Sequence, residues 1–327
     1  MRSKLIAILI TCFFVNAVFA AEKLVFVVDL FRHGDRTPIH PLTPQTHHWK
    51  EGLGQLTSLG VHQQTELGKK LRKRYIEELK LLPPQYQSEM LYVRSTNTER
   101  TLMSAEAFLT GFYPTQSVPV DCLKKNDVLL PTELFNAKLG DLIKNHIVPT
   151  KEWQKQTAQT QPKWAEWSQA TGLEIKSLRD VCYLADTLSI HQIHQAPLPK
   201  NLNEQDIAEI IAVGKMGFPL LYQHKEAGTL FGKDQLALIY SYLNKASGKE
   251  DNIKCMLLFT HDTTLATLLT VLQVSLNSQP PYASHLSFAL YDNDGEQYIK
   301  VHFNDKPLTI PACQGEVCTL EKIHKLL

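Results

Sequence analysis

Long apolar stretches are scarce in this chain of 327 residues. Past the first twenty residues no run of about 18 apolar residues occurs, so nothing predicts a membrane-spanning helix or stable membrane insertion. An excess of either charge is missing as well. Residues 1–20 hold Arg2 and Lys4 and no acid, and without them the 34 basic and 33 acidic residues become 32 and 33. A near-neutral chain carries no electrostatic footprint of a nucleic-acid binder. Its one basic run, Lys69-Lys70 with Arg72-Lys73-Arg74, reads as the solvated face of a helix. There is no internal repeat, no low-complexity tract and no N-x-[ST] acceptor. His191 and His194 form an H-x-x-H pair, yet no cysteine or acidic pair stands at ligand spacing beside them, so no metal site is expected.

What is present begins with a basic start, an apolar core from Leu5 to Phe14 and the ending Val18-Phe19-Ala20. That pattern reads as a cleaved export signal over 1–20, too short to anchor in a bilayer. Cys12 lies too near the start for a lipobox to have an apolar region before it. The expected location is periplasmic or secreted. Five cysteines follow the signal, an odd count that leaves at least one thiol free or bridged to another chain. Cys313 and Cys318 close a short loop containing Gly315 and are the expected disulfide; Cys255, in an apolar run, is expected buried and reduced. For Cys122 and Cys182 the sequence does not decide.

At 43% hydrophobic, the chain can bury a large core. Leu24 to Phe31 is an apolar, β-branched run that predicts a buried parallel strand. Residues 39–54, with His40, His47 and His48, read as a loop near the strand end, the histidines exposed. A helix follows from Thr57, with Leu67, Leu71, Tyr75 and Leu79 as one apolar stripe, stopped by Pro83-Pro84. Met90 to Val93 predicts a second strand, and a helix with Leu102, Ala105, Phe108 and Leu109 comes next. Residues 116–121 suit a short strand. From 123 to 233 the texture turns helical, with Trp153, Trp164 and Trp167 as core and a helix at about 204–216. A helix over Gln235 to Leu243 leads back to a strand at Met256 to Phe259, then to a helix at Leu265 to Leu272. Asn293-Asp294-Gly295 between two strand-like runs signals a hairpin at the sheet margin. The expected fold is α/β, a mainly parallel sheet with helices on both faces plus a smaller, mostly helical cap. The cap spans 123–233, and the sheet domain spans 21–122 and 234–327.

Three strand ends carry the chemistry: Arg32-His33-Gly34-Asp35-Arg36-Thr37-Pro38, then Arg94, then His261-Asp262. Open α/β sheets bind ligands at such ends, and the turn before a helix favours an anion. Three guanidiniums around one point repel unless an anion sits between them, which suits a dianionic phosphoryl group. A neutral imidazole among them is a nucleophile that adds no negative charge, and Asp262 in its acid form can protonate a leaving alkoxide. The acid form is better populated at mildly acidic pH, or where the site raises the carboxyl's pKa.

The opening run resembles the R-H-G-x-R-x-P signature of the histidine acid phosphatases, branch 2 of the histidine phosphatase superfamily. Arg94-Ser95-Thr96 with Arg100 to Ala105, the block His261-Asp262-Thr263-Thr264 and Pro280-Pro281-Tyr282-Ala283-Ser284 are similar to further stretches of its prostatic and lysosomal members. The resemblance implies an acid phosphatase hydrolysing phosphate monoesters through a phosphohistidine. It assigns His33 as nucleophile, Arg32, Arg36, Arg94 and His261 as phosphate clamp, Asp262 as proton donor, and no metal or other cofactor. The partner is a small phosphomonoester, and a homodimer is compatible with it. With the missing glycosylation acceptors and the compact signal, a bacterial exported member is expected. Animal relatives have a cysteine where this chain has His285, which leaves Cys182 without its expected partner. Within the superfamily a phytase or sugar phosphatase is the alternative, disfavoured because Thr264 stands where phytases usually carry Asn; a phosphoglycerate mutase fits less well. A non-hydrolysing phosphoester-binding protein is the reading outside catalysis.

Overall fold

The computed structural model describes residues 22–123, 127–129, 132–313 and 315–327. The segment read as an export signal, with Cys12, lies outside them. In chain order the elements are β1 (Lys23–Arg32), α1 (Ser58–Arg72), β2 (Leu91–Thr96), α2 (Glu99–Phe112) and β3 (Asp121–Leu123). Then come α3 (Thr132–Leu142), α4 (Lys151–Thr160), α5 (Trp164–Thr171), α6 (Leu178–Ile193), α7 (Glu204–Tyr222), α8 (Lys225–Ala227) and α9 (Lys233–Ser247). The chain closes with β4 (Cys255–Thr260), α10 (Asp262–Val271), β5 (His285–Asn293), β6 (Glu296–Phe303), β7 (Lys306–Pro307), β8 (Val317–Cys318) and α11 (Leu320–His324).

Among the described residues the strands form one mixed sheet in the order β3-β2-β4-β1-β5-β6-β7, with β8 also paired to β6. β3, β2, β4 and β1 are parallel, whereas β5 runs antiparallel to β1 and β6 antiparallel to β5. β1 is central, and its alternation supplies both faces. Val27 and Phe31 pack with Leu67, Leu71, Phe108 and Phe112 of α1 and α2. Phe26, Val28 and Leu30 pack with Leu236, Ile239, Leu265 and Leu268 of α9 and α10. A third core belongs to the inserted segment. Trp153, Trp164 and Trp167 gather there with Leu184, Leu188, Ile210 and Phe231, and Leu42 of the 39–54 loop joins them.

That loop is tied to the insertion. Thr43 N–H donates to the Thr171 carbonyl at 2.7 Å, Thr187 Oγ1 donates to the His40 carbonyl at 2.7 Å, and Trp49 is buried against Ile190 and Ala196.

Three local expectations shift. α1 passes into a π-helical turn at Lys73–Glu78, and the wider turn rotates Leu79 out of the stripe, leaving it 44% exposed while Ile76 is buried. The strand sought at 116–121 forms at Asp121–Leu123. β2 runs on to Thr96, so Arg94 lies inside the strand rather than after it. The hairpin has a two-residue loop, Asp294 and Gly295, with φ of 52° and 93°, the left-handed pair of a type I′ turn. Cys313 and Cys318 form the disulfide; Cys122, Cys182 and the buried Cys255 are free. No described helix is long and apolar enough to cross a membrane.

Candidate active site

The loop after β1 is held on every side. Arg32 N–H donates to the Ser284 carbonyl at 2.8 Å, His33 N–H to the Thr260 carbonyl at 3.1 Å, and Gln64 Nε2 to the Arg32 carbonyl at 2.8 Å. Gly34 then lies against Gly60 in the first turn of α1. A Cβ on Gly34 would stand 2.4 Å from the Gly60 carbonyl oxygen, and one on Gly60 would stand 2.2 Å from that of Asp35, so only glycine fits on either side. Thr57 caps α1 and donates to Asp35 Oδ2 at 2.5 Å. The same oxygen pairs with His194 Nε2 at 2.6 Å. His194 thereby ties the inserted segment to the loop, and its ring packs on Trp49. His191 Nδ1 faces the Pro197 carbonyl oxygen at 2.8 Å, so the H-x-x-H pair is engaged otherwise than in a metal site.

His33 Nδ1 lies 2.8 Å from the carbonyl oxygen of Gly34. A carbonyl only accepts, so Nδ1 carries the proton and Nε2 keeps its lone pair. Burial first, then the charges of Arg32, Arg100 and Arg36, hold the imidazole's pKa well below its ordinary value. The His261 ring lies 5.5 Å away, centroid to centroid. Its Nδ1 accepts from Arg100 Nη2 at 3.3 Å, which leaves Nε2–H to donate to Thr96 Oγ1 at 3.1 Å. Burial and the Arg100 charge bring His261 down to about 3, so this ring is neutral at mildly acidic pH, and His33 is shifted in the same direction.

Arg32 pairs with Asp262 Oδ2 at 2.8 Å, donates to the Pro280 carbonyl, and lies 4.1 Å over the Tyr282 ring. Asp262 Oδ2 also accepts from Gln279 Nε2 at 2.5 Å, and Oδ1 accepts from Thr263 N–H at 2.8 Å. Burial pushes this carboxyl's pKa up, but Arg32, Gln279 and Arg36 together outweigh it and the net shift is downward. The raised pKa that would favour a proton donor is therefore not a property of the ligand-free site, where Arg32 stabilises the carboxylate. Arg36 donates through one nitrogen, Nη2, to both oxygens of Asp186, at 3.1 and 3.0 Å.

Arg94 stands apart from this group. Its guanidinium is buried against Asp127. Arg100, in the first turn of α2, occupies the place expected of it. Burial and the like charge of Arg36 lower Arg100 to about 10, the mark of a cation crowded by cations. The Nε atoms of Arg32, Arg36 and Arg100 are buried without a hydrogen-bond partner among the described residues. Three donor-bearing cations beside a neutral imidazole and a carboxylate are suited to a phosphoryl dianion. Among the described residues no group of His, Cys, Asp or Glu is arranged to hold a metal ion.

Comparison with known proteins agrees with this chemistry. Residues 23–304 match the family model for the histidine phosphatase superfamily (branch 2). The chain is 33% identical to the lysosomal acid phosphatase of Bos taurus, over 94% of this chain and 78% of that protein. It is 29% identical to the human prostatic acid phosphatase, over 96% and 87%. Among solved structures, the phytase of Klebsiella sp. ASR1 superposes with a TM-score of 0.71 at 19% identity, covering 93% of this chain and 95% of that one. The Hafnia alvei phytase bound to myo-inositol hexakis sulphate gives 0.70 at 19% identity, covering 93% and 96%. The phytase likeness speaks for the fold alone. The family match spans nearly all the described chain and includes every residue of the cluster: this protein belongs to branch 2 of the histidine phosphatase superfamily.

Proposed function

We propose that this acid phosphatase hydrolyses phosphate monoesters by transferring the phosphoryl group to His33 Nε2 and then to water. The carrying observation is the Nδ1–H of His33 bonded to the Gly34 carbonyl, which leaves Nε2 as a neutral nucleophile among three arginines. Attack by a neutral ring avoids the repulsion that an anion meets at a phosphate dianion. Arg32, Arg36 and Arg100 bind the equatorial oxygens and take up the charge of the transition state, with His261 beside them.

Asp262 protonates the leaving oxygen. When the dianion occupies Arg32, the charge that stabilises the carboxylate is neutralised and the carboxyl's affinity for a proton rises. Nε2–P forms as the P–O ester bond breaks and the alcohol leaves with the Asp262 proton. Asp262, now a carboxylate, takes a proton from water as water attacks phosphorus, and His33 is released with inorganic phosphate.

The inserted segment 123–233 acts as a cap that contacts the leaving group. The N-terminal pattern and the Cys313–Cys318 disulfide support an exported protein, and the absence of N-x-[ST] acceptors supports a bacterial one. The test is a pH profile of phosphate release from an aryl phosphate with a rapid alkaline quench. Turnover at acidic pH with an alkali-stable phosphoryl label on His33 is expected; turnover without that label overturns the covalent step.

A further inference from the structure

Above the clamp, between the sheet edge and the inserted segment, lies a cleft of about 560 Å³. Arg32, Arg36 and Asp262 form its floor, and Tyr183, Phe218, Leu221 and Tyr222 line its walls. At the mouth Ile39 from the loop and Ile193 from α6 are 44% and 47% exposed. Besides the floor arginines, the cationic side chain among the described lining residues is that of Lys215, exposed on α7. Besides Asp262, the carboxylate is Asp186.

Asp186 sits in the middle of α6, its side chain 24% exposed to the cleft. Both its oxygens rest on Nη2 of Arg36, while Nη1 of that arginine donates to the Thr37 carbonyl at 3.1 Å and Nε has no partner. A phosphoryl group bound by Arg36 therefore meets a guanidinium that already holds a fixed anion. Asp186 is an acceptor only, with lone pairs left over for the leaving group. A second phosphate in the cleft meets this carboxylate, and the two like charges repel.

We propose that Asp186 is a specificity-determining residue: it selects phosphate monoesters whose leaving group offers a cation or hydrogen-bond donor close to the ester, and it rejects leaving groups that carry further phosphates. The proposal rests on the acid phosphatase reading and assigns its leaving-group side. Loosening Arg36 alters phosphate affinity for every substrate alike, so the discriminating quantity is a ratio of kcat/KM values.

The experiment compares wild-type enzyme and D186N on phenyl phosphate, 2-aminoethyl phosphate and inositol hexakisphosphate. Relative to phenyl phosphate, D186N is expected to gain about tenfold on the hexakisphosphate and lose about tenfold on the aminoethyl ester, with D186E resembling wild type. Ratios unchanged within about twofold overturn the selector while leaving the phosphatase intact; a wild type inactive on all three overturns both. Should D186N fold poorly, inhibition of wild-type phenyl phosphate turnover decides. Inorganic phosphate is expected to compete more tightly than inositol hexakisphosphate, and the reverse order overturns the proposal.

Discussion

The carboxylate of Asp262 lies 2.8 Å from the guanidinium of Arg32, so the group assigned as proton donor is, before substrate arrives, the counter-ion of the phosphate clamp. Binding and proton transfer are linked through this pair. A dianion that takes Arg32 releases Asp262 to be protonated. The acid form is lost as pH rises, so kcat is expected to fall on the alkaline side, and D262N is expected to remove that limb. General acid catalysis contributes about 10²–10⁴-fold. The loss in D262N is therefore expected within that range on alkyl phosphates and to be much smaller on p-nitrophenyl phosphate, whose leaving group needs little help. Kinetics over a series of leaving-group pKa values checks this, and equal losses along the series would remove Asp262 from the donor role.

Replacing His33 by Ala takes away the atom that accepts the phosphoryl group. Loss of a nucleophile acting with its supporting groups costs about 10⁴-fold or more in kcat. Phosphate release from an aryl ester is the readout. Binding of inorganic phosphate, measured by calorimetry, is expected to persist because the arginines remain.

Arg100 and Arg94 are expected to separate cleanly. R100A removes a cation from the clamp and should lower kcat/KM by about 10²–10³-fold, the range found for single transition-state donors. R94M should instead act on stability. It leaves Asp127 buried without its partner, a loss on the order of 3–5 kcal/mol, and the further change D127L should recover part of it. Denaturant melts and kinetics per folded molecule distinguish the two.

His33 and His261 are both neutral in the fold with lowered pKa values, so below about pH 6.5 the unfolded chain binds more protons than the native one. Stability of the ligand-free protein contributed by these rings is full above that pH and is lost as pH falls toward their folded values, by about 1.4 kcal/mol per pH unit for each. Buried Asp29, whose carboxyl is pushed up by burial, acts in the opposite sense as pH rises. The contribution of His261 is isolated by comparing wild type with H261N: the melting temperature of the variant should fall less steeply between pH 6.5 and 4.5.

The strand ends were legible because each joins an apolar run to polar residues at a sharp boundary, as at Phe31-Arg32 and Phe259-Thr260-His261. The I′ hairpin was legible from Asp294-Gly295, where local chemistry alone sets the backbone. Arg94 misled because strand length is not written in hydrophobicity: Ser95 and Thr96 are polar yet extend β2, placing Arg94 two residues short of the edge and within reach of Asp127. A signal for Arg100 existed. An arginine in the first turn of a helix opposes the helix dipole, an arrangement that calls for a nearby anion. Asp35 with His194 and Arg36 with Asp186 join residues far apart in the chain, and no periodicity reports such pairs. Leu79 was misplaced because a π-helical turn changes the residue count per turn without a compositional mark.

The central position of β1 bears on how the enzyme matures. The strand that presents the nucleophile precedes the other strands in the chain, yet Val27 registers with Cys255 and Phe31 with His285, segments far along the sequence from it. Pairings this distant in sequence form late and slowly. A chain ending at Ser284 would hold every proposed catalytic residue and still lack the neighbour that closes one edge of β1. Phosphatase activity is therefore expected to be a readout of complete folding, since a chain in which β5 has not yet paired with β1 lacks one support of the strand that presents His33.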